Sequence, residues 1–475
     1  GFYRKDPSST TLINHVPSFG FPGSDVLFSV NVNGNPNAPA LGVGRLNAYT
    51  PDNVKTYLDK VKEMEALPFN MLWRKKQLFL SGGQNTLEQQ TFSNYVENFK
   101  RLAEYHFLGG KGQIRRKITT DPTEVIDIQT EINSGLGMVT LFGHSSAQIS
   151  DIEIGDVNDH ENTGKYPIFL VNGCNAGEIF GTTVTFGEDW VNAPALGASA
   201  FIAHADFSQS VTLKRFSDLF FQEAFNNQST FGNTLGHTLV TVGTNFFNLY
   251  GTSPTSLSQI HLMSLLGDPA IKPFGVQSPD YESMSSQIYA EPLSGNRILA
   301  SQNAFSISLM ISNYGMTQTD SIDVEIKRTL PDGKELFSTV KIPQVFYKDT
   351  VTFLIENDPA LTVDGNNLFQ FTIDPENLIS EINEANNIST FELFLPRGNT
   401  INLYPVDLGI QSEKEVEFIW QSAELLPNSR GFILQYDSVP DFSSPLNTSQ
   451  TVLSKQTMSV RGHEDHLLPV TRRSQ

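Results

Sequence analysis

The chain is short of cysteine, of basic residues and of long apolar runs. One cysteine among 475 residues leaves no intramolecular disulfide framework and little from which to build a structural zinc site. Lys and Arg number 32 against 51 Asp and Glu, a formal charge of −19, which argues against a nucleic-acid partner because a phosphate backbone needs a basic surface. No run of about 18 apolar residues occurs, so no segment is expected to span a bilayer as a helix. Nor does a basic-then-apolar leader open the chain at Gly1, so a signal peptide is expected to be absent, removed or outside this fragment. What the chain does have is aromatic residues, with 34 Phe and 13 Tyr, and enough apolar content to rule out disorder. At roughly 150 residues per domain its length suggests about three domains.

Texture divides the chain. Up to about Gly275, short apolar runs alternate with helical patterns, which implies a mainly parallel, doubly wound α/β sheet. Val26 to Val32 and Leu41 to Leu46 read as strands around the turn Asn33-Gly34-Asn35-Pro36. Thr50-Pro51-Asp52 opens a helix with Val54, Tyr57, Leu58 and Val61 at helical spacing. Leu78 to Leu80 reads as a buried strand ending in Ser81-Gly82-Gly83, and Phe92, Tyr95, Val96, Phe99 and Leu102 mark the next helix. A further helix is expected from Asp121-Pro122 to Ser134-Gly135. Gln277 to Ser286 is polar and reads as a linker, which sets residues 276–287 between an α/β domain (1–275) and a β-sandwich (288–396). Phe305 to Ile311, Ile322 to Arg328 and Val351 to Ile355 alternate as strands, and Leu330-Pro331-Asp332-Gly333 is a hairpin turn. A partial β domain is expected over 397–475, with Val416 to Trp420 and Gly431 to Tyr436 as strands and an irregular end after about Val460.

Two continuously apolar runs carry the chemistry. Met138 to Phe142 leads into Gly143-His144, and Pro167 to Val171 leads into Asn172-Gly173-Cys174. Such runs are central strands covered on both faces, and ligands bind beyond the carboxyl ends of such strands. The thirty residues from His144 to Cys174 suit one strand-crossover-strand unit, so imidazole and thiol are expected side by side. A thiol of ordinary pKa, about 8.5, is only a few per cent thiolate at neutral pH and needs such a neighbour. His144 could take the thiol proton and return it to a leaving amine, and the amides of Ser145 and Cys174 could face a developing oxyanion. Gly143 and Gly173 would supply the sharp turns. The competing reading is a small buried cysteine with only a packing role.

Gly143-His144-Ser145-Ser146 and Asn172-Gly173-Cys174-Asn175-Ala176-Gly177-Glu178-Ile179-Phe180 resemble the His and Cys motifs of gingipain-type cysteine peptidases. Pro17-Ser18-Phe19-Gly20, Ser24-Asp25, Gly44-Arg45-Leu46, Trp73 and Leu266-Gly267-Asp268-Pro269-Ala270 extend the resemblance over roughly residues 12 to 275. Ser81-Gly82-Gly83 and the Gly-His-Ser-Ser form look closest to the type IX secretion sortase-like branch. The resemblance implies a caspase-like α/β fold with Cys174 as nucleophile and His144 as acid/base. It also implies a protein or peptide substrate, no cofactor, type IX secretion components as partners, and a secreted or bacterial surface location. Against that family, the fold's first strand and helix are expected to be missing before Gly1. Gingipains proper carry a Glu just before the Gly-Gly; here Leu80-Ser81-Gly82-Gly83 has none, so a third acid is expected to be absent. Glu88 is a candidate, by proximity alone, for the acid that sets Arg preference. Ile382-Asn383-Glu384-Ala385-Asn386-Asn387 resembles a cell-adhesion-related Ig-like module, and the piece after Asn402 a fibronectin-type domain.

Other candidates have plainer readings beside them. Asp151, Glu153, Asp156, Asp159, His160 and Glu161 form an acidic loop that could hold a structural Ca²⁺, although the spacing fits no EF-hand and a solvated loop is the commoner case. His204 could line the pocket but reads better as structural, as do His237 and His261. Glu188, Asp189 and Trp190 read as a helix start, Asp268 as a turn, and His463 and His466 lack zinc-motif spacing. The reading that results is a cysteine peptidase or transpeptidase, set against an inactive peptidase-like surface adhesion protein.

Overall fold

A computed structural model of the chain describes residue 16 and residues 18–396 except 182, 296, 319 and 359. Beyond 396 it describes the stretches 401–404, 415–421, 430–436, 448–454 and 461–463. The first part is built around a six-stranded sheet. In chain order its elements are α1 (Pro51–Ala66), β1 (Lys76–Ser81), α2 (Thr86–Glu104), β2 (Lys111–Arg116), α3 (Gln129–Ser134), β3 (Met138–Phe142) and β4 (Ile168–Asn172). There follow α4 (Phe186–Asn192), β5 (Ala200–His204), α5 (Ser210–Phe221), α6 (Leu235–Tyr250), α7 (Pro254–His261) and β6 (Met263–Gly267). The strand order is β2-β1-β3-β4-β5-β6, parallel throughout except that β6 runs antiparallel to β5. Strands β3, β4 and β5 are buried at every residue, as their unbroken apolar runs require of strands covered on both faces. α2 and α5 pack together on one side, while α1 contacts α4. α1 starts at the Thr50 cap with Pro51 in its first turn, and Tyr57, Val61 and Met64 are its buried apolar face.

Three expectations fail in instructive ways. Val26–Phe28 is a 3₁₀ turn, and of Leu41 to Leu46 only Arg45 bridges to the sheet, at Leu266. The Arg45 guanidinium is tied to buried Asp25 at 2.5 and 2.6 Å, and the prolines at 36 and 39 deny this stretch a regular ladder. The helix expected from Asp121 is confined to α3, because Glu124–Val125 instead pairs in parallel with Ile152–Glu153. The Glu124 carboxylate accepts from the Ile118 and Thr119 main-chain N–H groups, which holds that segment in a turn. The second half of the expected linker is already strand, since Tyr281–Pro292 pairs with Ala304–Asn313 over a buried Tyr281.

That strand opens an antiparallel β-sandwich. One sheet holds Tyr281–Pro292, Ala304–Asn313 and Lys348–Glu356; the other holds Ile322–Thr329, Glu335–Ile342, Gly365–Ile373 and Ile388–Leu395. The alternation visible in the sequence at Ile322, Val324 and Ile326 is the alternation of burial. Leu330 to Gly333 makes the expected hairpin turn between two of these strands. The sandwich is joined to the α/β domain by a fully buried lysine. Lys75 Nζ donates to the carbonyls of Asn313 (3.0 Å), Gly315 (2.9 Å) and Phe346 (2.7 Å). Beyond 396 the described strands pair two by two, among them Arg430–Tyr436 with Thr448–Ser454. Arg461–His463 pairs with Glu415–Glu417, so the stretch expected to be irregular after Val460 begins with strand. His466 lies outside the described residues. No helix among the described residues is long and apolar enough to cross a membrane.

Candidate active site

Strands β3 and β4 are neighbours in register, with Phe142 opposite Asn172. His144 and Cys174 therefore leave the same carboxyl edge two residues beyond paired positions. The two turns press on each other. Gly143 N–H donates to Asn172 O at 3.0 Å, and Ser145 Oγ donates to Cys174 O at 2.8 Å. A Cβ on Gly173 would collide with the Ser145 hydroxyl, so glycine is what lets the turns approach.

Cys174 is half-buried, and its sulfur sits against the loop after β5. Sγ accepts from Ser208 N–H at 3.5 Å and lies 3.6 Å from Ser208 O. That loop is bound to the cysteine turn by Asn175 N–H to Asp206 O and Gly177 N–H to His204 O, at 3.0 and 2.9 Å. No described residue accepts from the main-chain N–H of Ser145 or of Cys174, the two groups expected to face an oxyanion.

A carboxylate does reach His144, from outside the Gly82-Gly83 tract. Glu88, in the first turn of α2, places Oε2 3.0 Å from His144 Nε2. Its position follows from local chemistry: Asn85 caps α2 by accepting from Glu88 N–H, and the Glu88 carboxylate reaches back to Gln84 N–H at 2.9 Å. Burial pushes the Glu88 carboxyl up, but the Gln84 N–H and the His144 ring outweigh it and hold it below the ordinary carboxylate range. An ionised Glu88 can only accept, so Nε2 carries the proton of this contact and, in a neutral ring, Nδ1 is the unprotonated nitrogen. Phe92, one turn along α2, stands with its ring 5.9 Å from that of His144. The sequence offered one usable signal for Glu88, its place at N3 of a helix starting beside the sheet's carboxyl edge; its separation from His144 hid the contact.

The remaining candidates scatter. His204 is fully buried, Nδ1 2.8 Å from Asp206 O and Nε2 3.2 Å from Ser258 O, a structural histidine whose pKa burial pushes down. His261 Nε2 lies 2.7 Å from Asn37 O, and His237 is exposed near the start of α6. Asp268 accepts from Ala270 N–H in a turn. Glu188 is buried within the first turn of α4, and Asn47 and Tyr49 donate to its carboxylate at 2.9 and 3.0 Å. The acidic loop does not converge: Asp151 turns inward, Asp156 caps a 3₁₀ turn, and His160 packs on Trp190. Among the described residues no group of three or more His, Cys, Asp or Glu side chains is placed to hold a metal ion. A cavity of about 930 Å³ opens beside Ser145 and Ala176 and is bordered by Ile149, Asp156, Glu188 and Asp189.

An α/β domain with a cysteine and a histidine at one carboxyl edge of its parallel sheet has the residue types a cysteine peptidase needs. The chain belongs to peptidase family C25, whose family model matches residues 2–274. A second model, CARDB, matches residues 293–391 in the sandwich. Among solved structures the chain is similar to the Arg-specific cysteine proteinase gingipain R, at 14% identity over 80% of this chain and 81% of that one, with a TM-score of 0.47. A complex of pro- and mature domains of RgpB from Porphyromonas gingivalis matches at 15% identity over 79% and 82%, TM-score 0.45. A CARDB domain from Pyrococcus furiosus matches at 22% identity over 25% of this chain and 90% of that one, TM-score 0.19. No curated protein matches the chain.

Proposed function

We propose that the chain is a cysteine endopeptidase or sortase-like transpeptidase acting through Cys174 and His144, with Glu88 as the acid that orients the imidazole. One observation carries the reading: Cys174 and His144 leave register-paired strands at one edge while Glu88 holds Nε2. With Nε2–H held by Glu88, Nδ1 takes the Cys174 proton as the sulfur attacks a peptide carbonyl. The oxyanion forms beside the Ser145 and Cys174 N–H groups. Its collapse breaks the C–N bond, the amine leaves with the proton from His144, and a thioester remains on Cys174. Water or a second amine then attacks the thioester as His144 takes its proton; the C–S bond breaks, the acyl group leaves as an acid or an amide, and His144 returns the proton to the sulfur. The steps use no cofactor. Family membership supports a protein or peptide substrate, and the attached Ig-like module supports a secreted or bacterial surface setting, with type IX secretion as the proposed pathway.

The competing reading, an inactive peptidase-like surface adhesion protein, rests on the missing Glu before Gly82-Gly83 and on the attached β-sandwich; Glu88 beside His144 weakens the first of these grounds. A peptidyl acyloxymethyl ketone separates the two. It is expected to modify Cys174, and His144→Ala should slow the modification by about 100-fold or more. A Cys174 that reacts no faster than a free model thiol would instead favour the adhesion protein.

A further inference from the structure

Asp151 is a carboxylate with an unusual position. It is 2% exposed, and its Oδ1 has no hydrogen-bond partner. Its Oδ2 accepts from Gly83 N–H at 2.7 Å, in the turn after β1. Its own main-chain N–H donates to His144 O at 2.9 Å, in the turn after β3. The carboxyl lies directly over Gly82 and Gly143, so a Cβ at either position would run into it. Burial pushes this carboxyl up, opposed by the main-chain N–H groups of Gly83 and His144. A fold that needed only filled space here would be better served by an apolar side chain, because a buried carboxyl with an unpartnered oxygen is costly.

The two turns it joins are those that present the Glu88–His144 pair. Gly83 leads through Gln84 and Asn85 into α2, and both of those residues bind Glu88. On the other side, Asp151 N–H holds the His144 carbonyl itself. Beneath both, Gly82 N–H donates to Phe142 O at 2.8 Å, which keeps the strand ends together but reaches neither side chain. We propose that Asp151 is a positioning residue: its carboxyl pins the turn carrying Glu88 to the turn carrying His144, and so keeps the imidazole aligned for Cys174. The proposal rests on the Cys174–His144 reading given above. It also accounts for glycine at 82 and 143, where the carboxyl occupies the space a side chain would need.

The test is a double-mutant comparison on the full chain, reading the rate of Cys174 alkylation by iodoacetamide from about pH 4 to about pH 9. With Asp151 in place, Glu88→Gln is expected to lower the rate about tenfold near neutral pH. In an Asp151→Ala background the same change should alter the rate less than about twofold, because the pair is already misaligned. Asp151→Asn keeps a side-chain oxygen for Gly83 N–H and should recover both most of the rate and the Glu88 dependence. A purely structural Asp151 would lower the melting temperature while leaving the Glu88 effect and the pH profile of the folded protein intact, which overturns the proposal. Should Asp151→Ala fail to fold, Asp151→Ser carries the same comparison, since its oxygen stops short of Gly83 N–H. Slow alkylation of the unsubstituted chain, no faster than a model thiol, would instead count against the Cys174–His144 reading.

Discussion

The β-sandwich and the carboxyl edge of the parallel sheet are ordered by different rules. In the sandwich strands Ile322–Thr329 and Gly365–Ile373, burial follows the alternation of the sequence, and Phe305, Ile307, Phe369 and Phe371 meet in one apolar core. At the sheet edge, burial is shared by charged and polar groups: Asp151 against two glycine turns, Asn172 accepting from Ser217 Oγ at 2.6 Å, and His204 between two carbonyls. Removing apolar area from water needs no particular partner, whereas every buried polar atom at the edge needs one. The sandwich can therefore be altered with a cost in stability alone, while the edge is altered at a cost in chemistry.

Three substitutions bear on that contrast. The largest stability effect is expected at Phe371, fully buried with its ring 5.7 Å from that of Phe353. Phe371→Ala should cost about 3–5 kcal/mol by denaturant unfolding and leave the rate of Cys174 labelling in the folded chain unchanged. If labelling falls in parallel, the two regions are not separable. Lys75→Met comes next. Burial pulls the Lys75 pKa well below that of a free lysine, yet three carbonyls surround its ammonium, and a thioether would take that donor from all of them, leaving Phe346 O only the Thr317 hydroxyl at 3.4 Å. A loss of about 3 kcal/mol is expected, with the sandwich unfolding at lower denaturant than the α/β domain. A single unshifted transition would contradict the role of Lys75 as the joint. The smallest effect is that of Glu88→Gln, about tenfold in labelling with little change in stability, because the group is partly exposed.

The same contrast explains what could be read in advance. Met138 to Phe142 and Ile168 to Asn172 announce themselves as central strands, so the shared edge of His144 and Cys174 follows from composition and spacing alone. The hairpin at Pro331-Asp332-Gly333 is equally legible, since turn chemistry is local. The Glu88–His144 contact is not, because it joins residues 56 apart through the geometry of two turns. Ser208 against Cys174, 34 residues apart, is hidden in the same way. Segment 124–125 reads as helix because Asp121-Pro122 resembles a helix start and Val125, Ile128 and Ile132 recur at helical spacing, whereas its capture by Ile152–Glu153 is a tertiary event. Asp151 belongs to a loop that reads as a solvated acidic loop; nothing in the local sequence distinguishes the one carboxylate among its residues 151–161 that turns inward.

The central claim is that Cys174 becomes acylated with His144 as its proton acceptor. The most direct measurement mixes the chain with a peptide ester, quenches in acid and reads the intact mass with the site of the adduct. An acyl group on Cys174 is expected, absent in Cys174→Ala and formed far more slowly in His144→Ala. No adduct, an adduct on another residue, or one that forms equally fast without His144 would contradict the account.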